Sequence, residues 1–226
     1  MFRRFLLVML SVSFVSGACA QQKSAWLVNA QRHRDELIAQ NGPGTNAALR
    51  AELLAMRDAD QKARGVAPGE TNGSLRIASN LAEIDGQLTA DLKGIVAKNG
   101  WPTIGLVGID ASNAAMLVLT HTHDHAWQLS LLPQLESLAD AGRIDGVPLA
   151  FVIDKELVSE GKLQRYGTQF KYVDGGMAMY GVEDPGGLDA DRAKIGLPPM
   201  AVYTQQLEAM YHLKASGKVV MATPAK

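Results

Sequence analysis

Residues 114–125 read Ala-Ala-Met-Leu-Val-Leu-Thr-His-Thr-His-Asp-His, and the first six decide the fold. A run from Ala114 to Leu119 that is apolar on every side has no polar face for solvent, so it is expected as a short buried helix at the centre of the core. Asp110 or Ser112 can cap it. Downstream, Trp127, Leu131, Leu135 and Leu138 carry a further helix that ends at Gly142, with Pro133 as a kink or a fresh first turn. Upstream, the helix after Ser74 places Ile77, Leu81, Ile84, Leu88, Leu92 and Ile95 on one stripe and stops at Asn99-Gly100. Trp101-Pro102 cannot continue it, and Thr103 to Gly108 reads as an irregular crossing. Earlier still, Leu49, Leu53 and Met56 form a helix stripe behind a cap at Thr45 or Asn46, ending at Gly65.

Beyond Pro148 the texture shifts toward period 2. Tyr166, Thr168, Phe170 and Tyr172 alternate with Arg165, Gly167, Gln169 and Lys171, and Asp174-Gly175 is a hairpin signal before Met177 to Val182. Glu160-Gly161 offers a second turn, pairing a strand around Lys155–Ser159 with one that starts near Leu163. The expectation is an α+β fold, mainly helical, single-domain, with a small three-stranded antiparallel sheet covered by helices. Pro198-Pro199 precedes a last helix with Met200, Tyr203, Leu207 and Met210 on one face.

The chain has 226 residues, is 47% hydrophobic and 20% charged, and carries a formal charge of −1. These values exclude a disordered, collagen-like or multi-span membrane protein and give no field that would draw nucleic acid. Arg3-Arg4 followed by an apolar run from Phe5 to Val15, too short to span a bilayer, reads as an export signal. Cleavage after Ala18-Cys19-Ala20 starts the mature chain at Gln21 and takes the net charge from −1 to −3. Ser16-Gly17-Ala18-Cys19 is the competing lipobox-like site, which would leave Cys19 acylated and make the product an outer-membrane lipoprotein. Cys19 is the only cysteine, so disulfides, cysteine zinc sites and a cysteine nucleophile are excluded together. The expected organisation is a signal peptide over 1–20, a weakly helical segment over 21–44, one α+β domain over 45–213 and a polar tail over 214–226.

The polar end of the opening stretch invites a metal reading, because T-H-x-H-x-D-H is a zinc motif of metallo-β-lactamase-type hydrolases. Here Asp124 follows His123 directly, which turns Asp124 and His125 away from ligand directions, and only His33 and His212 remain elsewhere. A mononuclear site would need His121 and His125 at i and i+4 of one helix; no metal or cofactor is assigned. Two local arrangements are open. If the buried helix ends near His121 and a new one begins after Asp124, Asp124 is an N-cap; if one helix runs through, His121 and Gln128 share a buried polar row. Asp60 continues the Leu49-Leu53-Met56 stripe and is expected where that face reaches solvent, with Gln61 beside it.

Leu53-Leu54-Ala55-Met56 with Asp60-Gln61 and Arg64, Asn99-Gly100-Trp101-Pro102 with Val107-Gly108, His121 with Gln128, Gly161-Lys162-Leu163-Gln164 before Tyr166-Gly167-Thr168-Gln169, and Glu183-Asp184-Pro185 before Arg192 and Gly196-Leu197-Pro198-Pro199 form an ordered set. Together these segments resemble the uncharacterised bacterial domain of unknown function family 6624. Their order agrees with the family over about 45–212, and Thr120 departs from it, standing where the family usually has Gln. The resemblance implies a fold and a membership and no reaction.

Two functional readings follow. The first is an exported binding or interaction module in which His121, Gln128, Gln61, Tyr166 and Gln169 line a polar pocket for a small hydrogen-bonding ligand or a protein. Nucleic acid is not an expected partner, and a membrane is one only through a lipid on Cys19. The second is a hydrolase with His121 as base or metal ligand and Asp58, Asp60 or Asp124 as orienting carboxylate. No phosphate-binding glycine loop, G-x-S-x-G or H-E-x-x-H is present.

Overall fold

The computed structural model describes residues 25–65 and 77–224. The expected export signal and the expected helix start at Ser74 lie outside the described residues. The described chain is mainly helical with one three-stranded sheet, and it divides into two compact units. One comprises residues 34–156; the other comprises 157–226 with the N-terminal stretch through His33. None of the described helices is long and apolar enough to cross a membrane.

In the 34–156 unit, the part of helix α1 (residues 25–41) that begins at Arg34 is followed by α2 (Ala47–Ala63), α3 (Leu81–Asn99), α4 (Ile104–Val107), α5 (Ile109–His121) and α6 (His125–Asp140), and the unit closes with most of α7 (Gly146–Ser159). The all-apolar run is the core helix α5, which packs against α2, α3 and α4, with Ala115 and Leu119 fully buried. Helix α2 starts where expected: the Asn46 side chain accepts a hydrogen bond from the Leu49 amide, and Leu49, Leu53 and Met56 are buried. Helix α3 buries Leu88, Leu92 and Ile95, while Ile77 precedes it and is exposed, so that stripe is shorter than its periodicity suggested.

Helix α5 is not capped by Asp110 or Ser112. Its N-cap is Gly108, with Asp110 in the first turn and Ser112 buried. Gly108 has φ +80° and Gly44 has φ +95°, and a Cβ on Gly44 would run into the backbone of Val107 and Gly108. Glycine at both positions therefore lets the α1–α2 turn cross the start of α5 at backbone contact.

The expected strand around Lys155–Ser159 is instead the last part of α7. Pro148 falls in the first turn of that helix, where a missing N–H costs nothing, and Leu149, Val152, Ile153 and Glu156 fall on one buried helical face. Glu160-Gly161 ends the helix, the Gly161 amide donating to Val158 O with φ +75°.

The other unit holds the sheet. β1 (Phe170–Val173) and β2 (Gly176–Tyr180) form the antiparallel hairpin that Asp174-Gly175 announced. The third strand is β3 (Lys214–Val220), which pairs parallel with β2, so the sheet is mixed and the polar tail contributes an edge. Its connection through α8 (Leu188–Lys194) and α9 (Met200–Tyr211) is the long crossover a parallel pair requires. The disguise follows from exposure: no residue of Lys-Ala-Ser-Gly-Lys-Val-Val is buried, so the strand carries neither an apolar run nor an alternating apolar face. In α9, Val202 and Tyr203 are buried, whereas Met210 at the end of the expected stripe is exposed.

Candidate functional site

Helix α5 ends at His121 and α6 begins at His125, with only Thr122, His123 and Asp124 between them. Asp124 is the N-cap of α6, its Oδ1 accepting from the Trp127 amide at 3.0 Å, so the two-helix arrangement holds. His121 and His125 therefore lie on different helices, and the i, i+4 geometry required for a mononuclear site on one helix is not formed. No group of three or more potential metal ligands converges among the described residues. Thr122, which is buried, fixes the turn by hydroxyl contacts to Thr89 at 3.0 Å and to the Asp124 amide at 3.1 Å.

A buried carboxylate from a separate helix faces each of the three histidines. His121 Nδ1 is 2.7 Å from Asp60 Oδ1 of α2, His125 Nδ1 is 2.9 Å from Glu156 Oε1 of α7, and His123 Nε2 is 3.7 Å from Asp85 Oδ2 of α3. The first two are hydrogen bonds; the third is an electrostatic approach on an exposed ring. Asp60 is completely buried, which overturns its expected exposure: the α2 stripe continues inward there because Arg64 and His121 wait for the carboxylate. Arg64 Nε reaches Asp60 Oδ1 at 3.2 Å and its NH2 donates to Asp85 Oδ1 at 2.7 Å, tying α2 to α3.

The Asp60 contact settles the His121 tautomer. An ionised carboxylate only accepts, so an oxygen at 2.7 Å requires Nδ1–H, and Arg64 Nε, 3.0 Å from the same nitrogen, is left to donate to Asp60. In the neutral ring Nε2 of His121 is then the nitrogen with the lone pair, and it has no hydrogen-bond partner among the described residues. Burial, the largest single influence on Asp60, pushes its pKa up. The hydrogen bond and charge of His121, the Gln61 amide and Arg64 together outweigh burial and hold it below the usual carboxylate value. Burial also lowers Lys155, whose Nζ donates to Thr120 O at 2.7 Å and Thr122 O at 3.0 Å and so closes the end of α5. Asp124 is lowered by its hydrogen bond to Lys93 and by the Trp127 amide.

The sequence model of a family of unknown function (DUF6624) matches residues 47–216. The chain belongs to this family. Neither a curated protein nor a solved structure shows a significant match.

Asp60, beside Gln61 and Arg64, is thus hydrogen-bonded to His121 across 61 residues of chain. Gln61 joins them, its Nε2 donating to Asp60 Oδ2 at 2.9 Å. Gln128 is fully buried, and its Nε2 donates to Leu119 O at 2.8 Å, while its Oε1 has no hydrogen-bond partner among the described residues. Asp58 pairs with Arg57 at the surface and has no part in the cluster.

Tyr166 and Gln169 belong to the unit that contains the sheet. Their loop is fastened from inside. Buried Gln164 accepts from the Gln169 amide at 2.9 Å and donates to Tyr180 O at 2.8 Å, Arg192 donates to Tyr166 O, and Tyr203 Oη donates to Thr168 O at 2.9 Å. The Tyr166-Gly167-Thr168-Gln169 segment is therefore a pinned loop.

Asp85, Lys155 and Glu156 were missed in the sequence. The signal was present for both acids, since Asp85 shares a helical face with Leu88 and Leu92, and Glu156 shares one with Leu149 and Val152. An acid in register with an apolar stripe marks either the stripe's end or a buried charge.

Proposed function

We propose that the chain is an exported hydrolase in which His121 acts as general base. Asp60 holds its Nδ1–H, and Nε2 takes a proton from a water that attacks the substrate. The observation that carries this is the 2.7 Å contact between His121 Nδ1 and the buried Asp60, which leaves a basic nitrogen on a ring whose side chain is 26% exposed. The reading of an amide-lined binding pocket has less support, because the Gln128 amide donates to a backbone carbonyl inside the core.

The test is hydrolysis of small esters by wild type, H121A and D60N. H121A is expected to lose about 10²–10⁴-fold in kcat/KM, and D60N to lose less, because its ring is still present but in the wrong tautomer. Unchanged rates in H121A would remove the base; ligand binding without turnover would return the protein to the class of binding modules. Export makes a separate prediction. Intact mass of the chain produced with secretion should begin at Gln21, and a product that keeps Met1 would refute the address.

A further inference from the structure

We infer that the sheet-containing unit carries a ligand site of its own, an apolar cleft that takes a medium-chain carboxylate, with the acyl chain inside and the head group at Lys218. This goes beyond the reading of His121 and does not depend on it.

The cleft has a volume of about 520 Å³, within the range of small-molecule sites, and its lining residues all belong to this unit. Phe170 and Met179, paired across β1 and β2, supply one wall, and Leu188 of α8 with Met200 of α9 supplies another. The walls differ in stiffness. Phe170 is held edge-to-face on the buried Tyr203, with ring centroids 6.1 Å apart, whereas the unbranched thioethers of Met179 and Met200 adapt to the shape that enters. The Tyr166-Gly167-Thr168-Gln169 loop backs these side chains. A Cβ on Gly167 would come within 3.2–3.3 Å of Met200 Sδ, Leu188 Cδ2 and Met179 Sδ, so the contacts that pin the loop also hold the wall of the cleft.

An irregularity in β3 completes the site. Met177 pairs with Ala215 and Met179 with Val219, so β2 advances two residues while β3 advances four, and Ser216, Gly217 and Lys218 leave the ladder and line the cleft. The Lys218 amide turns back to Ser216 Oγ at 3.1 Å. Bulges of this kind gather beside binding sites, where they re-aim a side chain.

Charge selects the head group. Among the described lining residues only Asp189 and Lys218 are charged. Asp189 is engaged, its Oδ1 accepting from the Met200 amide at 2.7 Å at the start of α9. Lys218 is exposed, its ammonium has neither a hydrogen bond nor an ion pair among the described residues, and its flexible stem can carry that charge to an anion at the opening. An apolar interior with one uncommitted cation at its edge complements a chain that ends in a carboxylate.

Methyl NMR of the full-length protein, titrated with decanoate below its micelle concentration, reads the site directly. The Met179 and Met200 methyl resonances should shift, and those of Met56 and Met116, buried in the 34–156 unit, should not. From hexanoate to decanoate, each added pair of methylenes should tighten binding about tenfold. 1-Decanol, which lacks the charge, should bind about two- to fivefold more weakly than decanoate, and K218Q should bring decanoate to that level without changing decanol. A201W, at an exposed lining position of α9, should block the shifts while the β1–β2 ladder keeps its hydrogen-exchange protection. Absence of shifts at Met179 and Met200 in the wild type overturns the site. Equal binding of decanol and decanoate, with K218Q unchanged, overturns the carboxylate, as does tighter binding of decylamine, which would assign the head group to Asp189.

Discussion

Replacing Asp60 by alanine is expected to destabilise the 34–156 unit by about 3–5 kcal/mol, the cost of breaking a buried ion pair from one side. Asp60 is 0% exposed and accepts from Gln61, Arg64 and His121. Without it Arg64 keeps only Asp85, and the His121 ring loses the acceptor that orients it. Urea unfolding measures the loss. The pH dependence of the same measurement identifies its origin. Asp60 titrates below its ordinary value of 3.8 in the folded chain, so the native state binds fewer protons than the unfolded one across that interval. The stability it contributes is fully present above pH 3.8 and is lost as pH falls through the lower folded value. D60N has no such group. The gap between wild type and D60N should therefore be constant from neutral pH down toward pH 4 and narrow below it; a gap independent of pH would show that Asp60 acts by shape alone.

The helical half of this architecture was legible because its signals are local. Asn46 before the Leu49-Leu53-Met56 stripe, Asp124 before Trp127 and the uniformly apolar Ala114–Leu119 each determine structure within a few residues. The sheet was half legible for the same reason: Asp174-Gly175 dictates a hairpin, whereas the parallel pairing of β2 with β3 joins residues about 40 positions apart and leaves no mark in either strand. Lys155–Ser159 misled because a buried helix of mixed polarity shows neither clean period over five residues. At the site, His121 stood out beside its apolar helix, but its partner was read as solvent-exposed. Whether an acid on a stripe is an exit to water or a buried charge depends on what another helix brings to it, and Arg64 and His121 supply that answer only in three dimensions.

Arg192 should carry comparable weight in the other unit. It is fully buried on α8, donates Nε to Pro198 O at 2.6 Å and another N–H to Tyr166 O, and lays its guanidinium 4.9 Å from the Tyr203 ring. One planar group thus holds the Pro198-Pro199 entry to α9 and the start of the Y-G-T-Q loop at once. R192A would strand the buried Pro198 carbonyl and the half-buried Tyr166 carbonyl and leave a void beside Tyr203, for an expected loss of about 3–5 kcal/mol. R192M keeps most of the volume and none of the donors, so the portion of the loss that survives in R192M measures hydrogen bonding. Lysine does not rescue it, since a single ammonium cannot address two divergent carbonyls while stacking on an aromatic face. Hydrogen exchange locates the effect. Protection of the Gln169 amide, which bonds Gln164 Oε1 inside the same loop, should fall in R192M even where the β1–β2 ladder stays protected. If the loop and the ladder lose protection together, Arg192 supports the unit as a whole, and Tyr166–Gln169 is not held separately by it.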